Sequence, residues 1–241
     1  MPFKIFKLLN FTMKIGIIGA MELEVQLLRE KLQDRKDTEL FGFTFHEGRI
    51  GSHQVVVLLS GIGKVSAAVA TALLINQFKP ELIINTGTAG GLKDTRVYDI
   101  ILATEVRHHD VDVTAFGYEI GQQAKMPPAF FVDEQWLSLA EEHCGKYTDQ
   151  LRKGLVVSGD SFISDRQRRE WIEKSFPEAL AVEMEASAIA QTCHIMGVPF
   201  LMLRAISDNA GEGDTVSYES FVEKAGALSA EMNISFIENL K

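Results

Sequence analysis

The stretch KIGIIGAMELEVQLLREKLQ, from Lys14 to Gln33, indicates the class of fold. Its first part, KIGIIGAM, is almost continuously apolar and predicts a strand that is buried on both faces. Its second part, ELEVQLLREKLQ, predicts an amphipathic helix, because Val25, Leu28 and Leu32 share one face. A buried strand followed directly by such a helix is typical of α/β proteins with a parallel sheet.

The same alternation continues along the chain. Strands are predicted at 41–50, 52–61, 99–112, 179–184 and 199–208. A strand that runs into a loop is predicted at 81–92 and at 152–164, and helices are predicted at 64–78, 133–144, 165–176, 185–197 and 217–240. The segment 112–128 is predicted to be a long loop. The pattern predicts, for residues 13–241, a single-domain three-layer α/β/α fold with a mixed, mostly parallel central sheet. Residues 1–12 are interpreted as an N-terminal extension, for which disorder is an open alternative.

Composition excludes several classes of protein. The chain has 241 residues and a net charge of −9, and no dense cluster of lysine or arginine, so we expect no nucleic-acid partner. No apolar run approaches the roughly 20 residues that a membrane helix needs, so we expect no membrane partner. The two cysteines, Cys144 and Cys193, form no CxxC pair, which predicts reduced thiols and a cytoplasmic location.

Polar and glycine-rich segments follow most of the predicted strands. They are AMELE, SGIGK, TGTAGG, SGDSFI, EME and RAISD. In open α/β sheets ligands bind beyond the carboxyl ends of the strands, so these segments are candidates for one binding site. They supply carboxylates, one arginine and small hydroxyl residues. They contain no cysteine, and their serines lack the GxSxG arrangement of a nucleophile elbow.

Two motifs resemble known binding signatures only in part. GIGKVS, at 61–66, is close to the dinucleotide motif GxGxxG, but Glu81 precedes the next strand, whereas a ribose-binding acid should follow it. HHDVD places His108, Asp110 and Asp112 on one side of a strand, as a metal site would. Such a cluster at a strand end is more often hydrogen-bonded loop structure or an interface, so we predict neither a cofactor nor a metal.

Seven segments together resemble one enzyme family. KIGIIGAMELEV, SGIGKVSAA, IINTGTAGGL, HHDVDVTAFGYE, VSGDSFI, AVEMEASAIA and RAISD occur in the order and spacing of the bacterial 5′-methylthioadenosine/S-adenosylhomocysteine nucleosidases, members of the purine nucleoside phosphorylase superfamily. The resemblance covers nearly the whole chain from Met13 onward. It implies a nucleoside phosphorylase-like fold, a homodimer, and no cofactor.

The resemblance also implies a reaction. The N-glycosidic bond of methylthioadenosine and S-adenosylhomocysteine would be hydrolysed to adenine and the 5′-thioribose, in methionine salvage and methyl-cycle detoxification. Two alternatives stay open at this point. One is another nucleosidase of the same fold, with a futalosine-like substrate, and the other is a non-catalytic nucleoside-binding protein.

Three residues take catalytic roles by this resemblance. Breaking the bond requires an acid for the departing base, negative charge near the cationic sugar, and an activated water. Asp208 matches the general acid at N7 of adenine, and Ser207 would orient it. Glu24 matches the water-activating carboxylate, and Arg204 matches an arginine near the nucleophilic water.

The substrate-binding candidates also follow from the resemblance. Glu185 matches the carboxylate that holds the ribose hydroxyls, Met184 would pack against ribose, and Glu183 would bond ribose or support the loop. The others are Phe162 and Ile163 for adenine, Thr88 for water or ribose, and Met21, Ile62, Val113, Phe116 and Tyr218 for the purine or the 5′-thio group. Phe116 is expected to reach across a dimer interface. Thr88 and Tyr218 stand where many relatives carry serine and phenylalanine.

Charge favours water over phosphate as the nucleophile. The loop after the first strand offers Glu22 and Glu24 and no arginine. At about 4 Å and an effective dielectric constant near 20, each unit-charge repulsion costs roughly 4 kcal/mol. We therefore predict hydrolysis rather than phosphorolysis.

Overall fold

Strands and helices alternate along the part of the chain described by a computed structural model, which is residues 12–145, 148, 150–211 and 215–240. The strands are β1 Lys14–Gly19, β2 Gln33–Leu40, β3 Phe43–Ile50, β4 His53–Leu59, β5 Leu82–Gly91, β6 Ile100–His108, β7 Phe130–Phe131, β8 Leu151–Ser158, β9 Ala179–Glu183 and β10 Phe200–Asn209. The helices are α1 Glu22–Lys31, α2 Lys64–Phe78, α3 Glu134–Cys144, α4 Arg166–Ser175, α5 Ala186–Met196 and α6 Thr215–Asn239. The predicted extension lies outside the described residues, apart from Thr12.

The strands form one mixed sheet, as predicted. At its centre β1 lies parallel to β4 and β5, and β5 lies parallel to β10. Beyond β10 the order continues through β6, β8 and β9, and β9 returns to pair with the end of β5. Five strands therefore close into a ring, while β1, β4, β3 and β2 extend the sheet to one side.

Helices cover the sheet. On one side α1 packs against α6, and α6 packs against β5 and β10; α2 and α5 pack against each other elsewhere on the sheet. Val25 and Leu28 of α1 are fully buried, as the predicted amphipathic face requires. None of the helices in the described ranges combines the length and apolar character that crossing a bilayer requires.

Two strands were not predicted. The sequence extends the first helix to Gln33, but α1 ends at Lys31 and the chain then forms β2. Because β2 pairs only with β3 and most of its side chains are exposed, its sequence QDRKDTEL carries no apolar alternation. The other is β7, two residues that pair with β6 after the long loop. That loop contains a short 3₁₀ turn at Thr114–Phe116.

The divergence of two central strands creates the space for a site. Pairing between β1 and β5 ends at Ile18 and Asn85, while β5 continues beside β10 as far as Gly91. Gly87 lies in the stretch of β5 that pairs with β10 but no longer with β1. Its φ is +138°, and a Cβ atom there would stand 2.5 Å from Oε1 of Glu24. Glycine is therefore required for the Glu24 carboxylate to approach the backbone of β5.

Candidate active site

A cavity of about 500 Å³ opens where β1, β5, β9 and β10 end. Its walls are formed by Ala20, Met21, Glu24, Ile62, Thr88, Ala89, Gly90, Phe162, Val182, Glu183, Met184, Glu185, Arg204, Ser207, Asp208, Tyr218 and Glu219. The cavity brings together all the predicted site residues except Ile163, Val113 and Phe116. Side chains from distant parts of the sequence meet here because the strand ends converge.

Glu24 is buried and held by hydrogen bonds on both oxygens. It is the third residue of α1, and Oε2 accepts from the backbone N–H groups of Ala20 and Met21 at 2.8 and 3.0 Å. Oε1 accepts from the N–H and the hydroxyl of Thr88 at 2.8 and 3.1 Å. Three of these donors are backbone groups with fixed positions. The Thr88 hydroxyl alone can rotate away and leave a lone pair of Glu24 free.

Arg204 is the central cation of the site and is 1% exposed. Its Nε donates to Oδ1 of Asn85 at 3.2 Å, and its Nη1 donates to the carbonyl of Thr88 at 2.7 Å. Its Nη2 lies 3.0 Å from Glu183 and 3.2 Å from Glu185. Burial disfavours its charge, but the nearby carboxylates outweigh burial and raise the pKa of Arg204. The guanidinium is therefore a permanent positive charge among acidic side chains.

Glu185 faces the cavity from the start of α5. Its Oε1 accepts from the N–H of Gly63 at 2.9 Å, and its Oε2 contacts Arg204. Burial raises the pKa of Glu185 to about 7, with the negative charge of Glu183 adding to the effect and Arg204 opposing it. Near neutral pH this carboxyl group is thus poised between its neutral and ionised forms.

Glu183 supports the loop, which is one of the two roles predicted for it. Its carboxylate accepts from the N–H groups of Glu185 and Ala186 at 2.9 Å and from the hydroxyl of Ser158. These bonds satisfy backbone donors at the start of α5 that have no partner within the helix. The same carboxylate pairs with Arg204, so it fixes the guanidinium relative to α5.

Asp208 lies at the end of β10, where the register with β5 shifts between Ile206 and Asp208. The hydroxyl of Ser207 donates to its Oδ1 at 2.6 Å, as the predicted orienting role requires. The other oxygen, Oδ2, would stand 3.4 Å from a Cβ atom on Gly90. A glycine at that position leaves space beside the carboxyl group.

An aromatic and apolar wall faces the acidic groups. Phe162 and Tyr218 make an edge-to-face contact with ring centroids 5.4 Å apart. Burial raises the pKa of Tyr218 to about 12, so its hydroxyl stays protonated and donates to Sδ of Met21 at 3.4 Å. Ile62 lines the same cavity and is more than half exposed. The wall is suited to an apolar group.

Three predicted residues lie outside this cavity. Ile163 is buried beside it and lines a small adjoining space with Gly90, Met184 and Asp208. Within the described residues its N–H has no partner, so it can donate to a ligand. The structure does not bring Val113 or Phe116 to the cavity. Val113 directly precedes the 3₁₀ turn in the long loop, and Phe116 is its last residue and 82% exposed.

In the HHDVD segment, the side chains of His108, Asp110 and Asp112 bond other protein groups and are not arranged as a metal site. Both ring nitrogens of His108 are occupied, Nδ1 by the Ser187 hydroxyl and Nε2 by the Gln191 side chain, each at 2.8 Å. Asp110 pairs with Lys64, and Asp112 bonds the N–H and hydroxyl of Thr114. No group of three or more histidine, cysteine or acidic residues in the described ranges could hold a metal ion.

The sequence did not point to two residues that complete the site. Asn85 anchors Arg204, and Gly63 donates its N–H to Glu185. Asn85 could have been identified from the sequence, because an amide side chain buried in the apolar run LIIN needs a polar partner. Gly63 could not be identified in this way, because it acts through its backbone.

Comparison with known proteins places these features in a family. The phosphorylase superfamily matches residues 14–238 of the chain. A 5′-methylthioadenosine/S-adenosylhomocysteine nucleosidase of an Exiguobacterium species is 51% identical over 231 residues, which cover 95% of this chain and 99% of the relative. The relative of a Geobacillus species, with the same name, is 47% identical and is covered in full.

Solved structures show the same likeness. The methylthioadenosine/S-adenosylhomocysteine nucleosidase of Neisseria meningitidis, in complex with methylthio-immucillin-A, has a TM-score of 0.92 and 44% identity, covering 94% of this chain and 99% of that one. The S-adenosylhomocysteine nucleosidase of Streptococcus pyogenes, in complex with 5-methylthiotubericidin, has a TM-score of 0.93 and 38% identity, covering 95% and 98%. Similarity therefore extends over the whole described fold.

Proposed function

The chain belongs to the phosphorylase superfamily, among its 5′-methylthioadenosine/S-adenosylhomocysteine nucleosidases, and from this we propose how its own residues carry out the reaction. The protein is an N-glycosyl hydrolase. It hydrolyses methylthioadenosine and S-adenosylhomocysteine, releasing adenine and the 5′-thioribose. The observation that supports the residue roles is the convergence of Glu24, Glu185, Arg204 and Asp208 on one cavity.

Asp208 donates the proton that lets adenine depart. A purine leaves its sugar more readily as a neutral base than as an anion, and a proton at N7 provides this. Ser207 holds one oxygen of the carboxyl group at 2.6 Å and thereby fixes its direction. Phe162 flanks the base, and the free N–H of Ile163 donates to its edge.

Glu24 activates the attacking water. Because the backbone N–H groups hold its carboxylate in place, only the Thr88 hydroxyl has to rotate for Glu24 to accept a proton from water. The rotated hydroxyl can then contact the same water or the ribose. Thr88 retains the hydroxyl of the serine that many relatives carry, and its extra methyl group does not prevent the bond to Glu24.

Glu185 and Arg204 act on the sugar together. Glu185 accepts from the ribose hydroxyls, and its negative charge favours the cationic sugar of the transition state. Arg204 pairs with Glu185 at 3.2 Å, and its positive charge offsets the mutual repulsion of the carboxylates. Met184 packs against the ribose.

The charge of the cavity favours water as the nucleophile. Glu24, Glu183 and Glu185 face a single arginine, whose Nη2 already pairs with two of them. A phosphate ion would meet more carboxylates than cations, and each ionised carboxylate at about 4 Å would repel a unit negative charge by roughly 4 kcal/mol. Neutral water meets no such barrier.

A homodimer would complete the cavity at its open side. Apolar side chains are exposed on α2, α5 and β7, elements that contact one another within the subunit. They are Val65, Val69, Phe131, Ile195 and Met196. Pairing of two subunits through this surface would bury them. Phe116 and Val113 would then reach the partner's cavity near Ile62, where they would contact the 5′-thio group.

The cytoplasm is the compartment that suits the two cysteines. Cys144 and Cys193 are both free and buried, and burial raises the pKa of each thiol to about 12. Unpaired thiols of this kind are typical of reducing compartments.

Adenine release from both substrates tests the proposed roles. The wild-type protein is expected to release adenine from methylthioadenosine and from S-adenosylhomocysteine. Asp208→Asn removes the donated proton while keeping the size of the side chain, and is expected to lower kcat by at least about 100-fold. A kcat for this variant near that of the wild type would show that another group supplies the proton.

A further inference from the structure

Lys64 of the GIGKVS motif and Asp110 of the HHDVD motif meet outside the cavity. The GIGKVS segment begins α2, and the HHDVD segment follows β6. Between them lies the loop after β8, which contains Asp160. Lys64, Asp110 and Asp160 therefore come from three separate segments, and none of the three lines the cavity.

Three hydrogen bonds join these residues in a closed triangle. Nζ of Lys64 donates to Oδ1 of Asp110 at 2.5 Å, and the N–H of Asp160 donates to Oδ2 of Asp110 at 2.9 Å. The N–H of Lys64 donates to Oδ1 of Asp160 at 2.7 Å, which closes the triangle. The side chains of Lys64 and Asp110 are only 17% and 27% exposed, so their ion pair is less screened than a surface pair.

Two corners of the triangle, Lys64 and Asp160, adjoin different walls of the active site. Lys64 follows Gly63, whose N–H donates to the ribose-binding carboxylate of Glu185 at 2.9 Å. Asp160 precedes Phe162 by two residues, and Phe162 forms the adenine wall. Lys64, Asp110 and Asp160 therefore connect the segment that bonds the ribose carboxylate with the segment that carries the adenine wall.

We propose that Lys64, Asp110 and Asp160 form a clamp that positions the adenine wall relative to Glu185. This inference rests on the proposed nucleosidase reaction, and it adds positioning residues that do not touch the substrate. Misplacement of a binding group by about 1 Å can lower a rate by about 100-fold. Loosening the clamp should thus weaken substrate binding as well as turnover.

Asp110→Asn tests the clamp, because it keeps the size of the side chain and removes its charge. We expect kcat/KM for methylthioadenosine to fall by about tenfold or more. We also expect two constants to rise: the KM for methylthioadenosine, and the inhibition constant of adenine when adenine is added as a product inhibitor. A residue that only stabilises the fold would lower the active fraction, and hence kcat, and would leave KM and the adenine constant unchanged.

Asp99→Asn is the matched control. Asp99 also accepts one backbone N–H, from Arg96 at 3.0 Å, and one cationic side chain, from Arg152 at 3.3 Å. It does not line the cavity. The clamp predicts that this variant keeps the KM and the adenine inhibition constant of the wild type.

A double-mutant cycle provides the second readout. Lys64→Met removes the ammonium group and keeps the backbone N–H that donates to Asp160. This variant can therefore replace Asp110→Asn as the test if Asp110→Asn does not fold. If both residues act through one clamp, the kcat/KM of the double variant should be about the same as that of the more impaired single variant. Independent, multiplying losses would overturn the clamp, as would a folded single variant within twofold of the wild type in KM and kcat/KM. Failure of the wild type itself to release adenine would instead overturn the proposed function.

Discussion

Replacing Glu185 by glutamine should remove a pH-dependent loss of stability from the protein. Burial, strengthened by the charge of Glu183, raises the pKa of Glu185 to about 7 from an ordinary value of 4.5. Because the folded pKa exceeds the unfolded one, the unfolded chain releases this proton more readily. The contribution to stability is fully present below the unfolded pKa and is lost as pH rises through the folded pKa.

The expected magnitude follows from the two pKa values. A difference of about 2.5 pKa units corresponds to about 3 kcal/mol, of which about 2 to 3 kcal/mol is lost between pH 5 and pH 8. The Glu185→Gln variant has no proton to release at this position. Its free energy of unfolding should therefore fall less over this range than that of the wild type, by about the same amount.

Denaturant unfolding at several pH values and one protein concentration measures this difference directly. Titrating groups that do not interact with Glu185 are shared by both proteins and cancel when the two curves are subtracted. Glu178→Gln provides a control, because the Glu178 side chain is 85% exposed and pairs with the surface residue Lys93. The control should run parallel to the wild type. Parallel curves for Glu185→Gln and the wild type would refute an abnormally high pKa at Glu185.

Five further substitutions, at four positions, test the site. Glu24→Gln should lower kcat by about 100-fold or more while changing the Kd of a non-hydrolysable substrate analogue far less, and equal losses would contradict its action on water. Gly87→Ala should destabilise the fold by about 1–3 kcal/mol in denaturant unfolding and lower kcat, because its Cβ would meet Glu24; an unchanged kcat would count against the need for that approach. Thr88→Ser should keep kcat within about threefold, whereas Thr88→Val should lose at least about tenfold, and equal rates would exclude a role for the hydroxyl. Phe116→Ala should change stability by no more than about 0.5 kcal/mol yet raise the KM for methylthioadenosine, and an unaltered KM would argue against its reach into a partner's cavity.

The elements that could be predicted are those with a strong apolar pattern. The predicted helix at 64–78 coincides with α2 from its first residue to its last. The strand β2 escaped prediction because it is polar along its whole length and lies at the edge of the sheet. The pairing of β9 with β5 could not be predicted from the sequence either, because it consists of two residue pairs, at Gly90 and Gly91.

The site was predictable where side chains do the chemistry. Strand ends that carry carboxylates pointed to the segments of the site, because parallel strands bring those ends together. The family resemblance then selected Glu24, Glu185 and Asp208 among their residues. Contacts made by backbone groups left no pattern. The N–H of Gly63 and the N–H of Asp160 are examples, since any residue other than proline supplies that group.

The two neighbouring glutamates illustrate the same limit. The sequence places Glu183 and Glu185 at the start of a helix, where the helix dipole favours both. Only their contacts separate them: Glu183 accepts from backbone N–H groups of α5, while Glu185 turns to Gly63 and Arg204. Helix propensity is the same for both residues and could not distinguish them.

Product analysis with and without phosphate tests the central claim most directly. We expect purified protein to release adenine and free 5′-methylthioribose from methylthioadenosine at a rate that phosphate does not increase. Formation of methylthioribose 1-phosphate, at a rate that grows with phosphate concentration, would contradict the view that this acidic cavity selects water.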